Sequence, residues 1–152
     1  AYTGWSRSEG KKLFTEWLDA NTVAEIGEYK WFFTHDDEIA MGILEALKSS
    51  DLDSAKKDAF LANKVHLGSS SGLNEIYSVL KGIHQKDYTA EVAQLADLFS
   101  VTYDPGMIQI AVQDMVDYLD GKDVVPDHVV PVHVVDASNV EQYQGFGDPV
   151  SK

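Results

Sequence analysis

The chain has 152 residues, 44% of them hydrophobic, enough for one domain with a real core. Its 25 acidic and 12 basic residues give a formal charge of −13, a surface that repels phosphate backbones and argues against a nucleic-acid partner. There is no cysteine, which excludes a disulfide framework, a thiolate metal site and a cysteine nucleophile, and no apolar run reaches the roughly 18 residues that span a bilayer.

The chain opens on Thr3-Gly4-Trp5-Ser6, with neither the basic start nor the apolar stretch of a secretion leader. The expectation is a processed chain, or one that begins inside a longer one. Leu13, Phe14, Trp17 and Leu18 then recur at three-to-four-residue spacing and predict a helix. Asn21 to Lys30 reads as polar and irregular. Trp31-Phe32-Phe33 reads as a short buried strand, ended by His35-Asp36-Asp37. A helix follows on Ile39, Met41, Ile43, Leu44 and Leu47, with Asp36 or Asp37 in position to cap it and Asp37 the better placed. Ser49 to Asn63 reads as a connection with one helical turn around Ala55 to Leu61.

Val65 to Gly68 is the second strand. It leads through Ser69-Ser70-Ser71-Gly72 into a helix on Ile76, Val79 and Leu80. The stretch from Gly82 to Ala96 predicts no element. Leu98 to Tyr103 is the third strand, broken by Pro105-Gly106, and Ile108 to Leu119 is a helix stopped at Gly121. Val129 to Val135 is the fourth strand. Pro131 inside it points to an edge or a crossing segment, and His128 and His133 would lie on opposite faces. Ser138 to Tyr143 makes a last helical turn.

Strands alternating with helices predict parallel pairing in an α/β sheet with flanking helices. Ligands of such sheets bind beyond the carboxyl ends of the strands. Three loops sit there, at His35 to Asp37, Ser69 to Gly72 and Tyr103 to Gly106, and all are polar, small or acidic.

The run His35-Asp36-Asp37-Glu38-Ile39-Ala40-Met41-Gly42, followed by Leu44-Glu45-Ala46-Leu47-Lys48, resembles the N-D-x-x-A-x-G-x-x-x-A-L run of periplasmic sugar-binding proteins of the ribose and galactose/glucose type. Leu67-Gly68-Ser69-Ser70-Ser71, Val101-Thr102-Tyr103-Asp104-Pro105 and Pro131-Val132-His133-Val134-Val135 with Asn139-Val140 follow in that family's order, from Thr3 to about Tyr143. The resemblance implies part of a two-lobed protein, an incomplete lobe of the type I periplasmic-binding-protein fold. Residues 1–103 and 136–152 would belong to the second lobe, and 104–135 would hold a hinge crossing and first-lobe elements. It also implies a sugar clamped between lobes, membrane importer subunits that receive it, and a periplasmic or extracellular location, with a lipid anchor as one way of staying there. The companion would be the first half of the protein or a second copy of the chain.

Several residues are candidates for sugar contacts. Asp36 aligns with an asparagine that bonds sugar hydroxyls in relatives, and a carboxylate accepts from two hydroxyls at once; it equally suits a helix cap. Trp5 stands where relatives stack an aromatic ring on the sugar's C–H face. Arg7, the single arginine, carries a planar fork that fits a ring oxygen and a hydroxyl together, and also suits a solvated first helical turn. Ser70 replaces an aspartate or asparagine of the family, which leaves the choice of sugar open. Tyr103 and Asp104 stand where relatives have a glutamine or asparagine contact, and Tyr103 equally suits a buried strand position. The cluster His35 to Glu38 is a poor metal site, since consecutive side chains diverge and metal ligands must converge. No cofactor is called for.

No nucleophile elbow, phosphate loop or zinc-type histidine pair is present, so the expectation is a binding module and not an enzyme. The alternatives are the effector-binding lobe of a LacI-type transcription regulator, a sugar-sensing receptor domain, or a carboxylate-dependent hydrolase.

Overall fold

The computed structural model describes residues 2–103 and 106–147. Helix α1 (Arg7–Ala20) starts at Ser6, whose extended backbone and side-chain acceptor for the Glu9 amide make it the N-cap. Helix α2 (Val23–Ile26) falls where the sequence predicts irregular chain. Its four residues are too few to show a period, and it stands on a capping box in which Thr22 and Glu25 satisfy each other's backbone donors. Strand β1 (Trp31–Phe33) and helix α3 (Asp37–Lys48) follow, then α4 (Ser54–Ala62), longer than the single turn expected. Strand β2 (His66–Ser71) absorbs all three serines of the expected loop, and α5 (Asn74–Leu80) follows it. Helix α6 (Thr89–Val92) lies in the stretch that predicts no element. Strand β3 (Asp97–Thr102), helix α7 (Met107–Leu119), strand β4 (His133–Asp136) and a 3₁₀ turn at Val140–Gln142 complete the described chain.

The four strands form one sheet in the order β1-β2-β3-β4. The first three run parallel, with Trp31 opposite His66 and His66 opposite Asp97. Strand β4 corrects two expectations. It pairs antiparallel to β3 at the sheet edge, with Val101 opposite Val134, and it begins only at His133. Pro131 removes a ladder donor, so pairing starts after it. His128 therefore lies outside the strand, with its ring 2.6 Å from Asp114.

Parallel connections are right-handed almost without exception. Stepping β1 to β2 to β3 in one direction therefore places both helical crossovers on one face. The burial pattern agrees. Leu67, Ser69, Ser71, Leu98, Ser100 and Val135 point into the helical layer and are buried. Phe32 joins them in an aromatic cluster with Phe14, Trp17 and Phe60. The opposite face presents Trp31, Phe33, Phe99, Val101 and Val134. Trp31 is 64% exposed and Phe33 and Val134 each 54%, so β1 is not the buried strand expected from its sequence, and none of the described helices covers this side.

Helix α1 crosses α3 at backbone distance. A Cβ on Gly42 would lie 2.4 Å from the Arg7 carbonyl oxygen, so only glycine fits there. That contact explains the glycine in the motif around Asp36, and it fixes the loop carrying Trp5 relative to the start of α3. Helix α7 has no buried residue, and Ile108, Val112, Met115 and Leu119 all face outward.

Candidate functional site

The carboxyl ends of β1, β2 and β3 form a rim, and the adjacent aspartates Asp36 and Asp37 organise it. Asp36, not Asp37, is the N-cap of α3. Its Oδ1 accepts the Glu38 amide at 2.8 Å and its Oδ2 accepts the Ser71 hydroxyl at 3.0 Å. Asp37 is the first helical residue and turns inward, fully buried. Its Oδ1 accepts from the hydroxyls of Ser69 and Ser100, and its Oδ2 accepts the amides of Gly72 and Leu73, each at 2.8 Å. Burial pushes the Asp37 carboxyl up from the usual carboxylate range, and the bonds from Ser69, Leu73, Ser100 and Gly72 pull it back. This residue thus ties β1's exit to β2, β3 and the loop after β2. The two aspartates point to different partners, and among the described residues no group of three histidine, aspartate or glutamate side chains is arranged to hold a metal ion.

Ser70, on the bare side of β2, donates its hydroxyl to the His35 carbonyl at 3.0 Å. Trp5 and His35 line one cavity of about 550 Å³ beside β1, between Thr34 and the face of α1. Trp5 is 65% exposed and holds φ +58, and Ser71 holds φ +143. Both are left-handed conformations that cost non-glycine residues strain, which clusters at sites where a side chain must be aimed. Tyr103 follows β3 directly, is partly exposed, and packs against Phe146 with ring centroids 5.9 Å apart.

Trp5, Asp36, Ser70 and Tyr103 therefore share the rim, though only Trp5 among them lines the cavity beside β1. Asp104 lies outside the described residues. Arg7 lies behind the rim, with its fork filled. Nε and Nη2 donate to the two Glu38 oxygens at 2.8 and 2.9 Å, and Nη1 and Nη2 donate to Glu75. Glu45 sits 3.6 Å away. The Glu75 bonds raise the Arg7 pKa against the cost of burial, with Glu38 adding to the rise, so its charge is permanent.

Glu75 also faces His84, whose Nε2 lies 3.0 Å from Oε1 while its Nδ1 accepts the Lys86 amide. That acceptance leaves the ring hydrogen on Nε2, pointed at Glu75. Burial alone would raise the Glu75 carboxyl, but the bonds from Arg7 and His84 outweigh it and hold it below the usual range. His35 and Ser71 lie in strand-end loops that the sequence pointed to without singling them out, and Phe146 carried no signal.

No family model matches the chain, and no curated protein matches it either. Solved structures do. An ABC-transporter periplasmic solute-binding protein from Actinobacillus succinogenes, with bound D-allose, superposes with a TM-score of 0.64 at 18% identity over 93% of this chain. The fold is that of a periplasmic-binding-protein lobe. The binding-protein component of the arabinose ABC transporter from Shewanella sp. ANA-3, bound to α- and β-L-arabinofuranose, matches the lobe with a TM-score of 0.60 at 18% identity over 90% of its residues. A Caulobacter myo-inositol-binding protein, bound to myo-inositol, matches it with a TM-score of 0.61 at 17% identity over 90%. The lobe spans 41%, 38% and 39% of those three chains, so each neighbour has more than half its length outside the match.

Proposed function

We propose that the rim binds a sugar or similar small polyol, as one jaw of an interlobe clamp that hands its ligand to an ABC importer on the periplasmic or extracellular side of a membrane. The observation that carries this reading is the gathering of Trp5, Asp36 and Ser70 on one strand-end rim. The bound D-allose, L-arabinofuranose and myo-inositol of the structural neighbours support the ligand class.

Each residue has a role. A carboxylate offers about four acceptor positions, and Asp36 uses two internally, so two remain for ligand hydroxyls. Trp5 supplies a flat apolar plate, while Ser70 and Tyr103 supply neutral hydroxyls that bond directly or through water. Asp104, next to Tyr103 in sequence, is a further acceptor on this reading. Arg7 reaches a ligand only by giving up Glu38 or Glu75, so it serves chiefly to anchor the start of α1 beneath Trp5. Residues 104–135 form the crossing to the other lobe. The first half of a longer chain, or a second copy of this one, completes the clamp by covering α7 and the bare sheet face. Binding without turnover is the expected activity.

The test is a ligand screen. In a thermal-shift panel of pentoses, hexoses and cyclitols including D-allose, L-arabinose and myo-inositol, at least one is expected to raise Tm, since any ligand of the folded state stabilises it. Tryptophan fluorescence is expected to change with the same ligand and to stop changing in Trp5→Ala. A panel without a responder even at roughly 50 mM, the range expected for one jaw alone, would count against the reading.

A further inference from the structure

The chain's last described residues return to the rim. Phe146 forms a parallel bridge with Leu73, donating its amide to the Gly72 carbonyl at 3.0 Å and accepting the Asn74 amide at 2.8 Å. Asn74 Nδ2 adds a bond of 2.7 Å to the Gly147 carbonyl. The fit is close. A Cβ on Gly145 would lie 2.7 Å from the Asn74 nitrogen and 2.9 Å from the Gly72 oxygen, so no other residue passes there. The loop at Gly72 and Leu73 is thus gripped from inside by Asp37 and from outside by the tail. The bridge brings the Phe146 ring against Tyr103, at the β3 end of the rim from which Trp5 marks the β1 end. Phe146 is only partly buried, and a docked segment that served packing alone would gain most by turning that ring into the core.

We propose that Phe146 is a specificity-determining residue of the ligand rim. With Tyr103 it forms an aromatic wall facing the ligand from the β3 side, and the space between this wall and the Trp5 plate sets the size of polyol accepted. The inference rests on the sugar-binding reading above and adds a wall to it that comes from the far end of the sequence.

The experiment is a titration of the ¹⁵N-labelled chain, followed by NMR, with D-allose, L-arabinose and myo-inositol. Concentrations run to roughly 50 mM, because one jaw alone binds weakly. The expected result is that the amides of Asp36, Gly72, Tyr103 and Phe146 shift together with at least one sugar and saturate with one Kd. Phe146→Ala weakens that Kd by roughly three- to tenfold, the size of one lost ring contact. Phe146→Leu, which keeps an apolar anchor for the tail, weakens it similarly while the Asn74 amide stays protected from exchange. Phe146→Trp narrows the gap and shifts preference from D-allose toward L-arabinose. A purely structural Phe146 would change Tm and leave that preference alone. If Trp5→Ala abolishes binding while both Phe146→Ala and Phe146→Leu leave Kd within about twofold, this inference is wrong and the sugar reading stands. If no sugar moves any amide, both fall.

Discussion

Asp36 and Asp37 are neighbours in sequence with opposite surroundings. Both acids are legible from sequence as candidates for a helix cap. Which one caps is not, because the decision lies with Ser69 and Ser100, 32 and 63 positions further on, whose hydroxyls draw Asp37 inward. Arg7 teaches the same lesson. As the single arginine it is conspicuous in the sequence, but the carboxylates that fill its fork come from α3 and α5. Asp37 makes a direct prediction. Asp37→Ala removes the acceptor shared by two amides and two hydroxyls in a dry site, leaving only the longer bonds of Ser69 to the Phe99 carbonyl and of the Gly72 amide to Ser100 Oγ, and is expected to cost about 3 kcal/mol. Asp37→Asn keeps one oxygen for the Gly72 and Leu73 amides and turns its own amide to the serine oxygens, so it is expected to cost clearly less. Urea unfolding of both variants checks the order, and equal losses would mean the site is held by packing alone.

Among the elements, those with an apolar period were legible and the short ones were not. Helices α1, α3, α5 and α7 and all four strands carry their pattern in sequence. Helix α2 rests on a capping box and α6 has no buried residue, so neither shows a stripe. Strand β4 was legible as an edge from Pro131, but its direction was not, since direction depends on how the chain returns after α7. The joint between α1, α3 and α5 is electrostatic and carries a pH prediction. Glu75 is held below its ordinary value in the folded state, while in the unfolded chain it titrates near about 4.3. Its contribution is therefore fully present above about pH 5 and is lost as pH falls through the lower, folded value. Tm is expected to drop across that range in the native chain and to drop less steeply in Glu75→Gln. A parallel decline in the two proteins would remove Glu75 as the cause.

At the scale of the whole molecule, the single helical layer is the main fact. The succession of strands and helices announced an α/β sheet, and the strand-end rim followed from it. The bare face did not follow, because sequence alternation is blind to which side of the sheet each crossover takes. Trp31, Phe33 and the α7 residues Ile108, Val112, Met115 and Leu119 are apolar and open to water. A paired replacement, Ile108→Lys with Val112→Lys, is expected to lower binding of a hydrophobic dye and raise solubility. It should leave Tm nearly unchanged, within about 0.5 kcal/mol of stability, because these side chains touch little in the chain itself. A large fall in Tm would show that α7 packs on the body.

The antiparallel pairing of β4 has one more consequence. The chain leaves the sheet after Thr102 and re-enters at His133, and these two residues are partners across β3 and β4. Outgoing and incoming strands thus make a narrow waist two chains wide, through which α7 is joined to the sheet. Tyr103 stands at that waist, so on the proposed reading a tilt of the outlying helix would arrive within one residue of the aromatic wall, and grasp and swing would be one movement.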